Sequence, residues 1–264
     1  MKHFVDIHSH LLPGVDDGAQ TSDVTNEMVH KYREIGFGTV VATPHVEYST
    51  AKAQLDSLAS LGSVVASRAR PLGVQVLGGT ELRLSPRTVD SGFDLGSAVI
   101  SGTNHILVDF ESGALPWYAE QCLFDIQLAG FVPILAHPER YKWSTEDRFR
   151  PSQLVQRGVL FQVTLGSLSG VFGRDAKKNA KNLLADGLVH FLATDAHSAR
   201  SRLLAAEEGM ATMEREYPSN ALSHYLIDNP SELLVGGTIR PLVSKIALHR
   251  RGRGLIGNLL SRLH

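Results

Sequence analysis

Seven short runs of β-branched and aromatic residues recur along this 264-residue chain, and all but the sixth lead within a few residues into a histidine or an acid. The runs are Phe4 to Ile7, Thr39 to Ala42, Val74 to Leu77, Ile106 to Phe110, Val132 to Leu135, Val159 to Val163 and His190 to Ala193. Helical patterns separate most of them. Ser22 is placed to cap a helix whose apolar stripe is Val24, Met28, Tyr32 and Ile35, ended by Gly36. Pro116 opens a second through Trp117, Leu123 and Ile126 to Gly130, and Lys177 to Ala185 forms a third before Gly187. Strands that alternate with helices imply parallel pairing through right-handed crossovers. Seven of them suit a closed or nearly closed α/β barrel, with a doubly wound open sheet as the competing architecture. No linker rich in Pro, Gly or Ser interrupts the pattern, so residues 1–249 read as one domain. Residues 91–104 carry no usable period.

In such barrels the functional groups gather at the C-terminal ends of the strands. The stretch "FVDIHSHLLPGVDDG" gives His8, His10 and Asp17, and strand alternation puts Asp6, His8 and His10 on one face. "VVATPH" gives His45, "VLGGTE" Glu81, and "ILVDFE" Asp109 and Glu111. "PILAHPER" adds His137 and Arg140, and "FLATDAHSARSR" adds Asp195, His197, Arg200 and Arg202. A lone histidine is usually a surface or satisfied core residue, and His3, His30, His105, His190, His224, His249 and His264 are read that way. The donors that follow strands are different as a set, because one end of one barrel would collect them all. His8, His10, Asp17, His45, Glu81, Asp109, His137, Asp195 and His197 are too many for one ion and suit two or three.

Imidazoles and carboxylates without thiolate favour Mn, Fe, Zn or Mg. A closed structural zinc site would normally use cysteine, so an open, catalytic centre is expected. Adjacent divalent ions that share a bridging hydroxide suit displacement at phosphorus. Arg140 and Arg202 lie just past donor positions, and the guanidinium fork matches phosphate oxygens. Arg140, Arg202 and Asp195 are therefore the candidate catalytic residues, with both arginines on the phosphate of an ester substrate. Cysteine-based phosphate chemistry is excluded, since the position where Cys122 would need its arginine holds Leu128. Cys122 instead falls in an amphipathic helix and reads as a small core residue.

The net charge of -1 argues against a nucleic-acid partner. A single cysteine excludes an internal disulfide framework and fits a reducing cytosol. "MKHFVDIHSH" lacks the apolar core of a signal peptide, and the expected location is cytoplasmic.

"DIHSHLLPGVDDGA", "ATPH", "AHPERY", "FQVTLGSLSGVFG" and "ATDAHSARSR", with "DNP" from Asp228, resemble the PHP family, named for polymerase and histidinol phosphatase domains. More narrowly, the chain is similar to the metal-dependent protein-tyrosine phosphatases of capsule and exopolysaccharide operons. The resemblance implies a distorted TIM-like (β/α)7 barrel with three metal ions, usually manganese. It implies one ion on His8, His10, Glu81 and Asp195, a second on Glu81, Asp109 and His137, and a third on Asp17, His45 and His197. It assigns phosphate contacts to Arg140 and Arg202, and a phosphotyrosine substrate on a tyrosine autokinase of polysaccharide export. Two departures stand out. Asp109 occupies a position where the family usually has Glu, and Glu111 could compensate for the missing methylene. "HVEYST" lacks the extra His or Arg often found after the second strand.

Two other readings compete: a small-molecule phosphatase of the histidinol-phosphate type, and a metal-binding regulator without turnover. Residues 250–264, "RRGRGLIGNLLSRLH", form a basic amphipathic tail. Its expected role is that of a frayed or packed terminus, with peripheral membrane contact as the functional alternative.

Overall fold

The structure, a computed structural model, describes residues 3–50, 52–88, 92–110, 113–143 and 149–242. Glu111 and the 250–264 tail lie outside the described residues. Among the described residues nine strands form rather than seven: β1 (Phe4–Ser9), β2 (Phe37–Ala42), β3 (His45–Glu47), β4 (Gln75–Gly78), β5 (Glu81–Arg83), β6 (His105–Asp109), β7 (Val132–Ala136), β8 (Leu160–Thr164) and β9 (Phe191–Ala193). The extra two arise because the chain resumes a short strand just beyond the second and third expected runs. Pro44 has no N–H to give to a ladder, and β2 stops before it and resumes as β3. Gly79 and Thr80 part β4 from β5; a Cβ at Gly79 would lie 2.9 Å from Val41 Cγ1, so only glycine allows this close approach.

Every ladder is parallel. The breaks divide the strands into a three-stranded sheet, β1-β2-β4, and a six-stranded sheet, β3-β5-β6-β7-β8-β9. A single bridge, Ser9 to Ala196, links β1 to the segment after β9. Where the sequence suggests one closed or nearly closed barrel of seven strands, the described strands form two parallel sheets that meet at this bridge. The two short strands made by the breaks begin with His45 and Glu81, which pair in register.

The helices are α1 (Ser22–Glu34), α2 (Lys52–Ala69), α3 (Ala119–Leu128), α4 (Arg150–Gln156), α5 (Leu165–Ser169), α6 (Gly173–Ala185), α7 (Arg202–Glu216), α8 (Ala221–Ser223) and α9 (Asn229–Val235), with a π-helical turn over His224–Asp228. The hydroxyl that caps α1 belongs to Thr21, not Ser22, and accepts the Val24 N–H at 3.3 Å. Helix α3 starts at Ala119, after Pro116 and Trp117, and Trp117 is 87% exposed instead of joining the apolar stripe. Cys122 is buried in α3 and its thiol points to Ser85 O at 3.4 Å. Val5, Ile7, Val41, Leu107, Ile134, Phe191 and Ala193 gather into one apolar cluster between strands, closed by Leu233 of α9. The larger core lies between the sheets and the helices.

Candidate metal centre

Strand alternation predicts one face for Asp6, His8 and His10, but β1 shifts register between Asp6 and Ser9. The histidines join the cluster of imidazoles and carboxylates and Asp6 does not. Asp6 accepts hydrogen bonds from Tyr32 Oη at 2.7 Å, Thr194 N at 3.0 Å and Thr194 Oγ1 at 2.5 Å. Burial raises its pKa despite these bonds. Asp6 is thus a tie between α1 and the residue before Asp195. That residue needs holding: Asp195 has φ 51 and His137 φ 36, the two non-glycine residues at positive φ among those described.

Glu81 stands at the centre. Its Oε2 lies 3.2 Å from His8 Nε2, 3.3 Å from His10 Nε2 and 3.1 Å from His45 Nδ1. Its Oε1 lies 2.9 Å from His137 Nε2. Asp195 Oδ1 is 3.4 Å from both His8 Nε2 and His10 Nε2. Asp17 Oδ1 is 3.3 Å from His197 Nε2 and 3.5 Å from His45 Nε2. Three overlapping groups follow from these distances: His8, Glu81 and His137; His8, His10 and Asp195; and His10, Asp17, His45 and His197. The first two are buried; in the third Asp17 is 68% and His45 30% exposed, which places it at the mouth. Eight of the nine expected donors meet in this way. The ninth, Asp109, stands 4.0 Å from His137 Nδ1 and accepts the Tyr141 hydroxyl at 2.9 Å.

A divalent ion fits this donor set. Glu81 Oε2 and His45 Nδ1 are buried without a hydrogen-bond partner of good geometry, although nitrogens surround the one and an oxygen faces the other. Such orphaned atoms are costly unless a cation uses their lone pairs. Burial alone would raise Glu81, yet the imidazoles around it, His8 foremost, hold its carboxyl well below the usual range. Asp195 is held down in the same way against burial by His8 and Arg140. Burial would lower His10, but Asp16, Asp195 and Glu81 hold it well above the ordinary value. His197 is pushed down to about 4 by burial and then by the charge of His10.

Residues 4–235 match the family model described as capsular polysaccharide synthesis, CpsB/CapC. The chain belongs to the CpsB/CapC family. It is 33% identical over 237 residues to the tyrosine-protein phosphatase YwqE of Bacillus subtilis, covering 89% of this chain and 93% of YwqE. Tyrosine-protein phosphatase CpsB of Streptococcus agalactiae is 24% identical over 237 residues, 87% of this chain and 98% of that protein. Among solved structures, one from the work on YwqE of B. subtilis and CpsB of Streptococcus pneumoniae, called unique metal-dependent tyrosine phosphatases, superposes with a TM-score of 0.78. It is 31% identical and covers 91% of this chain and 100% of that one.

In this CpsB/CapC chain both candidate phosphate arginines face the cluster. Arg140 Nη2 donates to Asp195 Oδ2 and, at 3.1 Å, to Thr164 Oγ1. Arg202 Nη1 donates to the same Asp195 Oδ2 at 2.6 Å. Arg200 points away, is 86% exposed, and pairs with Glu27 at 3.6 Å. The arginines, Asp17, Glu81, Asp109 and the outer histidines line an open pocket of about 350 Å³.

Some supporting residues were not legible from the sequence. The sixth expected strand, read as lacking a ligand-capable residue, supplies Gln162, whose Oε1 accepts from His8 Nδ1 at 2.7 Å. This fixes the His8 tautomer and turns Nε2 to the acids. Asp16, one residue before the expected Asp17, takes His10 Nδ1 at 2.8 Å and the His45 N–H at 3.0 Å. Burial would raise Asp16, but His10 holds it down to about 2. The loop turns tightly there: a Cβ on Gly18 would sit 2.2 Å from His10 O. The "VDDG" motif signalled an acid near His10 without telling which aspartate supports and which faces the pocket.

Proposed function

We propose that this protein is a metal-dependent phosphotyrosine-protein phosphatase. The observation that carries the reading is the convergence of three overlapping imidazole–carboxylate groups with two guanidiniums that share Asp195. The relatives named above as tyrosine-protein phosphatases support the choice of substrate. The ligand roles assigned to His8, His10, Asp17, His45, Glu81, Asp109, His137, Asp195 and His197 belong to this proposal, as do a PHP-type distorted barrel and manganese as the metal. So do a cytoplasmic location and a tyrosine autokinase of polysaccharide export as substrate. When bound, divalent ions would supply a water acidic enough to attack at neutral pH and would neutralise charge on the phosphoryl oxygens.

The chain's own residues do the rest. Arg140 and Arg202 take the phosphate oxygens, each reaching in from the strand ends with Asp195 setting its direction. Gln162 and Asp16 hold His8 and His10 with their outer nitrogens aimed inward. The net reaction adds water to the phosphate monoester and releases the phenol and inorganic phosphate.

The test is hydrolysis of p-nitrophenyl phosphate, a phosphotyrosine peptide and histidinol phosphate by the full chain, with and without chelator. Chelation should abolish turnover, added manganese should restore it, and the phosphotyrosine peptide should give the higher kcat/KM of the two biological esters. A clear preference for histidinol phosphate would move the protein to the small-molecule class. Absence of turnover with metal bound would leave the regulator.

A further inference from the structure

The motif "FQVTLGSLSGVFG" contributes no donor to the metal cluster, yet its Phe172 touches both phosphate arginines. The Arg140 guanidinium carbon lies 3.9 Å from the Phe172 ring centroid, and that of Arg202 lies 4.6 Å from the same centroid. Both are inside the ~6 Å range in which a ring face attracts a cation. One half-buried aromatic thus serves two cations that arrive from different parts of the chain, one after β7 and one at the start of α7.

The local backbone is built to present this ring. Gly170 and Gly173 both have positive φ, +98 and +92, so the chain turns sharply on either side of Val171 and Phe172. Phe172 is left at the entry to α6, and α6 is anchored to the Arg140 turn by Asn179 Nδ2, which donates to Glu139 O at 3.1 Å. Gly166 in α5 leaves room for the ring edge: a Cβ there would come within 3.3 Å of Phe172 Cε2. The arginines need such a brace. Arg140 Nε is buried without a hydrogen-bond partner, and the hold common to both guanidiniums besides the ring is one carboxylate oxygen of Asp195.

We propose that Phe172 is a positioning residue for substrate phosphate: its ring braces Arg140 and Arg202 side by side, so that both guanidiniums meet one phosphate group. The proposal rests on the phosphatase reading. It acts through the arginines, so it belongs to phosphate affinity more than to the chemical step. A cation–ring contact at a partly exposed site is worth a factor of roughly two to five, so losing both should weaken phosphate binding about five- to twentyfold.

The experiment compares Phe172→Leu, Phe172→Met, Phe172→Tyr and Phe172→Trp in the metal-loaded full chain. It reads kcat and KM on p-nitrophenyl phosphate, the dissociation constant for inorganic phosphate by calorimetry, metal content and melting temperature. The Leu and Met variants should raise KM and the phosphate dissociation constant about five- to twentyfold, with kcat changed less than about twofold and metal content unchanged. The Tyr and Trp variants should keep wild-type affinity. Unchanged phosphate affinity in Phe172→Leu or Phe172→Met would overturn the proposal, as would equal losses in Phe172→Tyr and Phe172→Leu, which would mean shape alone. If the Leu variant melts early, the Met variant and the aromatic pair decide. A wild-type chain that binds phosphate but hydrolyses no ester sinks the phosphatase reading, while the calorimetric series still judges the brace.

Discussion

His190 and His8 are both buried and both sit at the end of a parallel strand, but at opposite ends. His190 precedes β9 at its N-terminal end. Its Nδ1 accepts the Phe161 N–H at 3.0 Å, and Asn229 Nδ2 donates to its carbonyl at 2.6 Å. Burial, and then the charge of His224, pushes it down to about 4. His105, first residue of β6, is likewise lowered by burial. His8, at the C-terminal end of β1, has Gln162 on one nitrogen and Glu81 and Asp195 facing the other. Burial would lower it too, but the two acids raise it. Burial by itself lowers an imidazole, and at His190 the ring serves the backbone. Convergent carboxylates, held in place by one further layer of hydrogen bonds, make a cation site.

The sharpest break of this contrast is at Glu81, which touches four histidines. Glu81→Gln keeps the shape and removes the charge. Turnover of p-nitrophenyl phosphate should fall by more than about a hundredfold, beyond the range typical of residues one layer out. Near-normal turnover would show that the centre does not depend on that carboxylate.

Next in size is the arginine pair. A charged hydrogen bond is worth about 1.5–3 kcal/mol, so Arg202→Ala should cut kcat/KM about ten- to a hundredfold with metal content intact. Arg200→Ala should change little, since that side chain faces solvent and Glu27. If Arg200→Ala is the crippling change, the choice between the two arginines is reversed.

Gln162 tests the layer behind the donors. Gln162→Leu removes the acceptor for His8 Nδ1 and should weaken metal affinity about tenfold, the low end for such supporting residues. Competition against a chelating dye reads this directly, and unchanged affinity would make Gln162 a plain core residue.

These supporting residues mark the limit of what the sequence told. Histidines and acids at strand ends are uncommon enough to be read as a set, so the convergence of eight of these side chains, with both arginines beside them, was legible. Gln162 was not, because a single amide in a strand has no chemical signature until its partner is known. Asp6 misled because alternation is a rule for regular strands and β1 shifts register at that point. The strand breaks at Pro44 and at Gly79–Thr80 were missed because the β-branched runs continue up to them, and only the second sheet shows where the chain resumes. Thr21 took the cap expected of Ser22, a one-residue shift that sequence pattern does not resolve.

The smallest effects belong to the other end of the strands. His190→Gln should leave turnover unchanged. His190 is lowered in the folded state from 6.5 to about 4, so below pH 6.5 the unfolded chain binds a proton that the folded chain refuses. That contribution to stability is full above pH 6.5 and is lost as pH falls through about 4. The melting temperature of His190→Gln should therefore fall less steeply than that of wild type across this window. Equal slopes would mean that His190 is not the titrating group.

Metal counting puts the contrast between the two ends to its most direct test. Equilibrium dialysis against manganese, followed by elemental analysis per chain, would be run on wild type, His10→Ala, His105→Gln and His190→Gln. His10 belongs to two of the three donor groups, so His10→Ala should lose at least one metal equivalent. His105→Gln and His190→Gln should hold the wild-type number. A His10→Ala chain with its full complement, or a loss confined to the His105 or His190 variants, would contradict the assignment of the metal centre to the C-terminal ends of the strands.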